Sequence, residues 1–242
     1  MQRKWGEAME VDVVMKAVGD QAVLIKLGDS ISETVSRRVM ALDGALRKAG
    51  LKEHGILETV PAYHSLLIRY NPLVTDYSSL LGLTQALAKQ DIQASESRGR
   101  RVEIPVCYGG AYGEDLAYVA QHAGLSEQEV VELHCGMDYR IYMLGFLPGF
   151  PYLGGLDERI FTPRLPKPRV RIPAGSVGIG GEQTGIYPLE SPGGWRLIGR
   201  TPLRLFEPLK GGELPYMAGD CIRFIPIGEE EFRDIAGRQK AG

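Results

Sequence analysis

From Met143 to Arg200 glycine and proline recur every few residues, and this run constrains the fold more than any other part of the chain. The gaps are not Ser/Gln filler. They hold Phe146, Phe150, Tyr152, Ile160, Ile172, Val177, Ile179, Tyr187, Trp195 and Leu197, apolar residues of a kind that a disordered low-complexity segment lacks. The stretch therefore reads as short strands joined by tight, φ-demanding turns that bring backbone close to a ligand or to another backbone.

What surrounds this run reads as its support. With 242 residues the chain has room for one large domain or two ordinary ones and for a real core. A formal net charge of −2 leaves no excess of Lys and Arg to neutralise phosphates, which argues against a nucleic-acid binder. No apolar run approaches a bilayer span, so no membrane helix is expected, and MQRKWGEAMEVD lacks the apolar centre of a secretory signal. Cys107, Cys135 and Cys221 are odd in number, widely spaced and without a C-x-x-C pair. That fits a reducing compartment, with the cytoplasm as the default, better than a disulfide framework.

In chain order, residues 1–10 read as a frayed terminus. Two strands follow around Gly19-Asp20, with Val11, Val13 and Met15 alternating on the first and Ala22, Leu24 and Leu27 on the second. A helix with Val35, Val39, Leu42 and Leu46 at helical spacing begins after an N-cap in Asp29–Ser32 and stops at Gly50. Two further strands, Ile56–Val60 and Ser65–Tyr70, and a helix in YSSLLGLTQALAKQ complete residues 11–90. The order predicts an α+β domain, an antiparallel sheet with helices on one face. Residues 91–100 are polar and aperiodic and read as a linker. Residues 101–242 read as a mostly-β barrel, with two short helices around a capping box of Ser126 and Glu129. Its last strands are expected at Leu203–Phe206 and Cys221–Ile227, and its charged tail GEEEFRDIAGRQKAG looks dispensable.

Familiar catalytic signatures are missing. Gly178-Ile179-Gly180-Gly181 has no Lys-Ser/Thr after it, and Gly175-Ser176-Val177-Gly178 is one position short of a nucleophile elbow. His134 and Cys135 have no second cluster to make a metal site. Two loops remain, Pro148-Gly149-Phe150-Pro151 and Ser191-Pro192-Gly193-Gly194-Trp195, each with an aromatic directly after glycine. Each alone reads equally well as a barrel corner. Taken together, with Gln183-Thr184-Gly185 between them, they read as a pocket for a small planar ligand. Gly149, Phe150, Ser176, Thr184, Gly193, Gly194 and Trp195 are its candidate binding residues. Gln183 carries a donor and an acceptor, which suits an amide or lactam. Arg164, Lys167, Arg169 and Arg171 form a cationic run that reads either as a solvated edge or as a clamp for carboxylate or phosphate. Alternation with Val170 and Ile172 puts Arg169 and Arg171 on one strand face, and Arg171 is the favoured member. His64, beside Tyr63 and Ser65, is a candidate acid/base group or a structural histidine. Cys107 reads as a buried strand residue.

Several long motifs, in this order, resemble one family: IPVCYGG, GEDLAYVA, YMLGFLPGFPYLGGLDERI, PRVRIPAGSVGIGGEQTGIYPLESPGGWRLIGRTPLRLF and AGDCIRF. That family includes the KipI proteins, the B subunit of 5-oxoprolinase, and subunit 1 of allophanate hydrolase. The resemblance implies that the barrel is cyclophilin-like. It also implies two partners: a homologous KipA-like C subunit, with a separate, lactam-opening A subunit. The activity it implies is an ATP-dependent opening of 5-oxoproline to glutamate. Phosphate would first pass to the lactam oxygen, with Mg2+ accompanying ATP. The glycine-loop N–H groups, Arg171 and Gln183 would neutralise developing charge, and His64 is the third catalytic candidate. No nucleotide motif is recognisable, so ATP is expected mainly on the KipA-like partner or across the interface with it. The resemblance equally implies two other roles: an inhibitor of a sensor histidine kinase, and a component of an allophanate hydrolase or urea carboxylase complex.

Overall fold

Two cores, built on different principles, organise the chain. The computed structural model describes residues 14–30, 32–89, 99–208 and 211–241. The expected frayed start, Val11 and Val13, and nearly all of the expected linker lie outside the described residues. The chain divides into two compact units, residues 1–97 and 98–242.

In the first unit, strands β1 (Val14–Val18), β2 (Ala22–Lys26), β3 (Ile56–Pro61) and β4 (Ser65–Tyr70) form one antiparallel sheet in the order β1-β2-β4-β3. Val23 lies opposite Ile68 and Ile25 opposite Leu66, and residues paired directly across strands share a face. That face is covered by Val39, Leu42 and Leu46 of helix α1 (Glu33–Ala49) and by Leu80 of helix α2 (Tyr77–Lys89). The inward residues of β2 are thus Val23 and Ile25, in phase with buried Leu27, and not the expected Ala22 and Leu24. A period of two leaves only one phase compatible with Leu27, and the odd-numbered residues have it. Helix α1 starts where expected, because the Ser32 hydroxyl accepts the Val35 N–H at 3.2 Å. It ends at Gly50, whose φ of 90° an L side chain rarely adopts.

The second unit closes on itself. Strands β5 (Arg101–Tyr108), β6 (Asp138–Leu144), β7 (Pro151–Gly154), β9 (Ser176–Gly180), β10 (Gln183–Ile186), β12 (Arg196–Arg200) and β13 (Cys221–Pro226) form a closed barrel. Its order is β10-β7-β6-β13-β5-β12-β9. Strand β13 runs parallel to β5 on one side and antiparallel to β6 on the other. A separate antiparallel ribbon pairs β8 (Arg169–Ile172) with β11 (Ser191–Gly193). Helices α3 (Leu116–Ala123) and α4 (Glu127–Cys135) share the barrel's core through Leu116, Val119 and Val130. The Ser126–Glu129 capping box opens α4.

Two C-terminal expectations are corrected. Residues 203–206 form no strand; Leu205 is buried without entering a ladder. The charged tail is helix α5 (Glu229–Ala241), which rests its Phe232 ring 4.5 Å from that of Tyr112. The Gln239 side chain also accepts the Arg204 N–H at 2.7 Å. Its net charge concealed one anchoring aromatic. No helix among the described residues is long and apolar enough to cross a membrane.

Candidate functional site

The loop between β6 and β7 is fixed by its own backbone. Gly145 N–H donates to Phe150 C=O at 3.1 Å, Phe150 N–H donates to Leu147 C=O at 3.0 Å, and the Tyr216 hydroxyl donates to Gly149 C=O at 2.9 Å. Gly149 has a φ of 79°, and a Cβ there would lie 2.5 Å from Leu214. Only glycine fits both demands, and the resulting turn buries Phe150. The loop between β11 and β12 meets it from the other side, held by Leu165 N–H donating to Gly194 C=O at 2.7 Å. Trp195 lies across Gly180, where a Cβ would come within 2.4 Å of the indole nitrogen.

Phe150 and Trp195 converge: their ring centroids are 5.5 Å apart at 81°. Tyr187 and Tyr152 each stand 5.3 Å from Phe150, also edge to face, the geometry that aromatic quadrupoles favour. With Ile172 and Leu197 these residues form an apolar cluster separate from the barrel core. Beside it opens a cavity of about 120 Å³, walled by these four rings and by the backbone of Gly193 and Gly194. Phe146 stands at its edge, 65% exposed and at φ 62°, a left-handed conformation that is costly for a bulky residue.

One charged side chain lines the cavity, Arg164. Its guanidinium lies 5.7 Å from the Trp195 ring centroid, within cation–π range. Burial raises the Tyr187 phenol above its ordinary value, opposed by the Trp195 backbone N–H that it accepts and by Arg164 and Arg169 nearby. The phenol therefore stays protonated at neutral pH and adds no negative charge to the cavity.

Of the residues singled out from the sequence, Phe150, Gly193, Gly194 and Trp195 line this cavity, and Gly149 fixes the turn beside it. Others lie elsewhere. Ser176 is buried at the start of β9, where its C=O accepts the Tyr187 N–H at 2.8 Å. Gln183 opens β10, half-buried and outside the lining. Arg171 is 76% exposed and paired with Glu190 at 2.7 Å. The expected sharing of one face by Arg169 and Arg171 does not occur. Between its pairings with Ser191 and Gly193, β8 holds one residue more than β11, and such a bulge breaks the alternation. Arg169 turns inward to Asp115 and Glu114, each at 2.9 Å. His64 belongs to the first unit, where its C=O accepts Leu27 N–H at 2.8 Å and its buried Nδ1 has no hydrogen-bond partner among the described residues.

Thr184 points into the barrel and ends a polar chain that the sequence did not reveal. Its hydroxyl donates to Gly178 C=O at 3.1 Å and so accepts from His134 Nε2 at 2.8 Å. That assigns the proton to Nε2 and makes Nδ1 the acceptor of the Tyr108 hydroxyl at 2.7 Å. Cys135 Sγ in turn donates to the Tyr108 oxygen at 3.4 Å. Burial lowers the His134 pKa to about 3 and pushes the Tyr108 hydroxyl well above its ordinary value. Tyr108 and Thr184 are 26 and 50 residues from His134, so no local spacing could signal the chain. The cavity's remaining aromatics were more accessible to sequence reasoning. Gly145-Phe146 repeats the glycine–aromatic pair of Gly149-Phe150 and Gly194-Trp195.

Comparison with known proteins agrees across most of the chain. Residues 13–215 match the family model for the carboxyltransferase domain, subdomain C and D. The 5-oxoprolinase B subunit of Bacillus subtilis is 41% identical over 238 residues, 93% of this chain and 97% of that protein. Its counterpart in Escherichia coli O157:H7 is 43% identical over 215 residues, 88% and 95% respectively. The crystal structure of TTHA0988 superposes with a TM-score of 0.76 at 40% identity, covering 86% of this chain and 40% of that longer one. The chain belongs to the carboxyltransferase subdomain C and D family, within the part of it that contains the 5-oxoprolinase B subunits.

Proposed function

We propose that this chain acts as the B subunit of an ATP-dependent 5-oxoprolinase. In this reading it works with a homologous KipA-like subunit, and with a separate lactam-opening one, to convert 5-oxoproline to glutamate. Its barrel is then of the cyclophilin-like type. The observation that carries the reading is identity of 41–43% to proteins of that name, over 95–97% of their length. The geometry supports it: a cavity of about 120 Å³ between aromatic rings suits one small flat ring and is too small for a nucleotide as well. In this reading the lactam lies in the cavity beside the packed Phe150 and Trp195 rings. The protonated Tyr187 hydroxyl offers a donor, and the bare backbone of Gly193 and Gly194 lets the ring approach the main chain.

ATP and Mg2+ do not fit this cavity on its own residues. Its lining holds no carboxylate, and no three His, Cys, Asp or Glu side chains among the described residues group to hold a metal ion. The nucleotide is assigned instead to the KipA-like partner or to the interface with it. The test is glutamate release from 5-oxoproline and ATP by the purified chain, with and without the two partner proteins. Turnover that requires all three supports the reading. Full turnover by this chain alone, or none by the complete mixture, contradicts it.

A further inference from the structure

From Arg159 to Arg200 every arginine has its charge or its donors met, with one exception. Arg159 is paired with Asp157, Arg169 with Glu114 and Asp115, and Arg171 with Glu190. Arg196 lies 3.6 Å from Asp115 and over the Tyr118 ring, and Arg200 donates to Ala174 C=O. Arg164 has only the Trp195 ring, and among the described residues no carboxylate is paired with it. It is also the one charged residue lining the cavity.

A planar guanidinium resting on an indole keeps its N–H edge free, and that edge matches the two oxygens of a carboxylate. The rings exclude water from one side of the cavity, which strengthens attraction between opposite charges there. The neutral Tyr187 phenol offers no competing anion. We propose that Arg164 is the specificity-determining residue of this cavity: it binds the carboxylate of a small planar ring and discriminates against the same ring without that charge. The proposal rests on the lactam reading for the identity of the ring but not for the preference for an anion.

The test uses the full chain with Trp5→Phe, so that Trp195 is the only indole left of the two in the sequence, and follows its fluorescence on titration. Three probes are compared: 5-oxoproline, the neutral lactam 2-pyrrolidinone, and pyrrole-2-carboxylate. Each is run with the chain alone and with the KipA-like partner added. 5-Oxoproline is expected to bind about ten-fold more tightly than 2-pyrrolidinone, the scale of one charge-assisted hydrogen bond near solvent, and the margin should narrow as salt rises. Arg164→Met keeps a flexible stem over the indole and should erase the margin, leaving 2-pyrrolidinone affinity unchanged. Arg233→Met, a charge loss on α5, should preserve it.

A ten-fold margin that persists in Arg164→Met overturns the inference and leaves the lactam reading standing. Binding of pyrrole-2-carboxylate that depends on Arg164, with none of 5-oxoproline, upholds the inference and sinks the lactam reading. Failure of both anions to bind, with or without the KipA-like partner, overturns the inference.

Discussion

Arg164 and His134 lie in the same unit and show opposite treatments of a polar side chain. His134 is fully buried and has both ring nitrogens engaged, one by Tyr108 and one by Thr184. Arg164 sits at a cavity mouth with an aromatic ring below it and no carboxylate beside it. Inside a barrel an unmet donor is expensive, so the chain of hydrogen bonds runs until it reaches the Gly178 carbonyl. At the mouth water can satisfy what the protein does not, and capacity left open there is available to a ligand. Saturation, more than residue type, separates the two.

The largest test of this contrast removes the wall that gives the mouth its shape. Trp195→Ala should cost about 3–5 kcal/mol of stability, read by urea unfolding, because the indole is only 6% exposed and packs on Phe150 and Gly180. A cost below about 1 kcal/mol would detach the mouth from the folded core and weaken the comparison.

Acidification probes the interior side. Folded His134 resists protonation down to about pH 3, whereas the unfolded chain takes up that proton near 6.5. Its contribution is therefore complete above pH 6.5 and is lost as pH falls towards about 3. The slope should approach about 1.4 kcal/mol per pH unit within that window. His134→Gln removes the titrating group, so its stability–pH curve should be flatter there. Parallel curves would show that His134 is not protonated on unfolding.

Thr184→Val keeps the volume but leaves Nε2–H and the Gly178 carbonyl without their partner. It should cost about 1–3 kcal/mol in urea unfolding while leaving 5-oxoproline affinity at the cavity unchanged. An equal loss of both would join the two regions that the comparison separates. Smallest of all, Arg171→Met should shift stability by no more than about 0.5 kcal/mol, because an exposed ion pair such as Arg171–Glu190 contributes little. A larger shift, measured the same way, would make that pair part of the ribbon's fold.

These residues also mark how far the sequence could be read. Local signals translated directly. The Ser126–Glu129 box, the Ser32 cap and the two glycine–aromatic loops depend on neighbours a few positions away, and the structure shows each of them. Features set by pairing did not translate. Strand phase in β2 carries no local mark, because Ala22-Val23-Leu24-Ile25 is apolar at every position and alternation has nothing to show. The favoured arginine rested on a regular strand, and a bulge in β8 leaves Arg171 in solvent and Arg169 with Asp115. Arg164 is legible only as one cation among four; its distinction is that it lines the cavity with no carboxylate beside it, and only coordinates show that. Leu203–Phe206 has strand-like composition, yet the barrel ladder closes without it.

The parallel pairing of β5 with β13 bears on how the unit is made. Synthesis delivers Arg101–Tyr108 first and Cys221–Pro226 last among the barrel strands, yet β13 is the stave that stands between β5 and β6. Until Cys221–Pro226 has been made, both nascent edges stay unzipped and can template the wrong neighbour. A ribosome that stalls before codon 221 leaves a barrel with a slot rather than a shorter barrel.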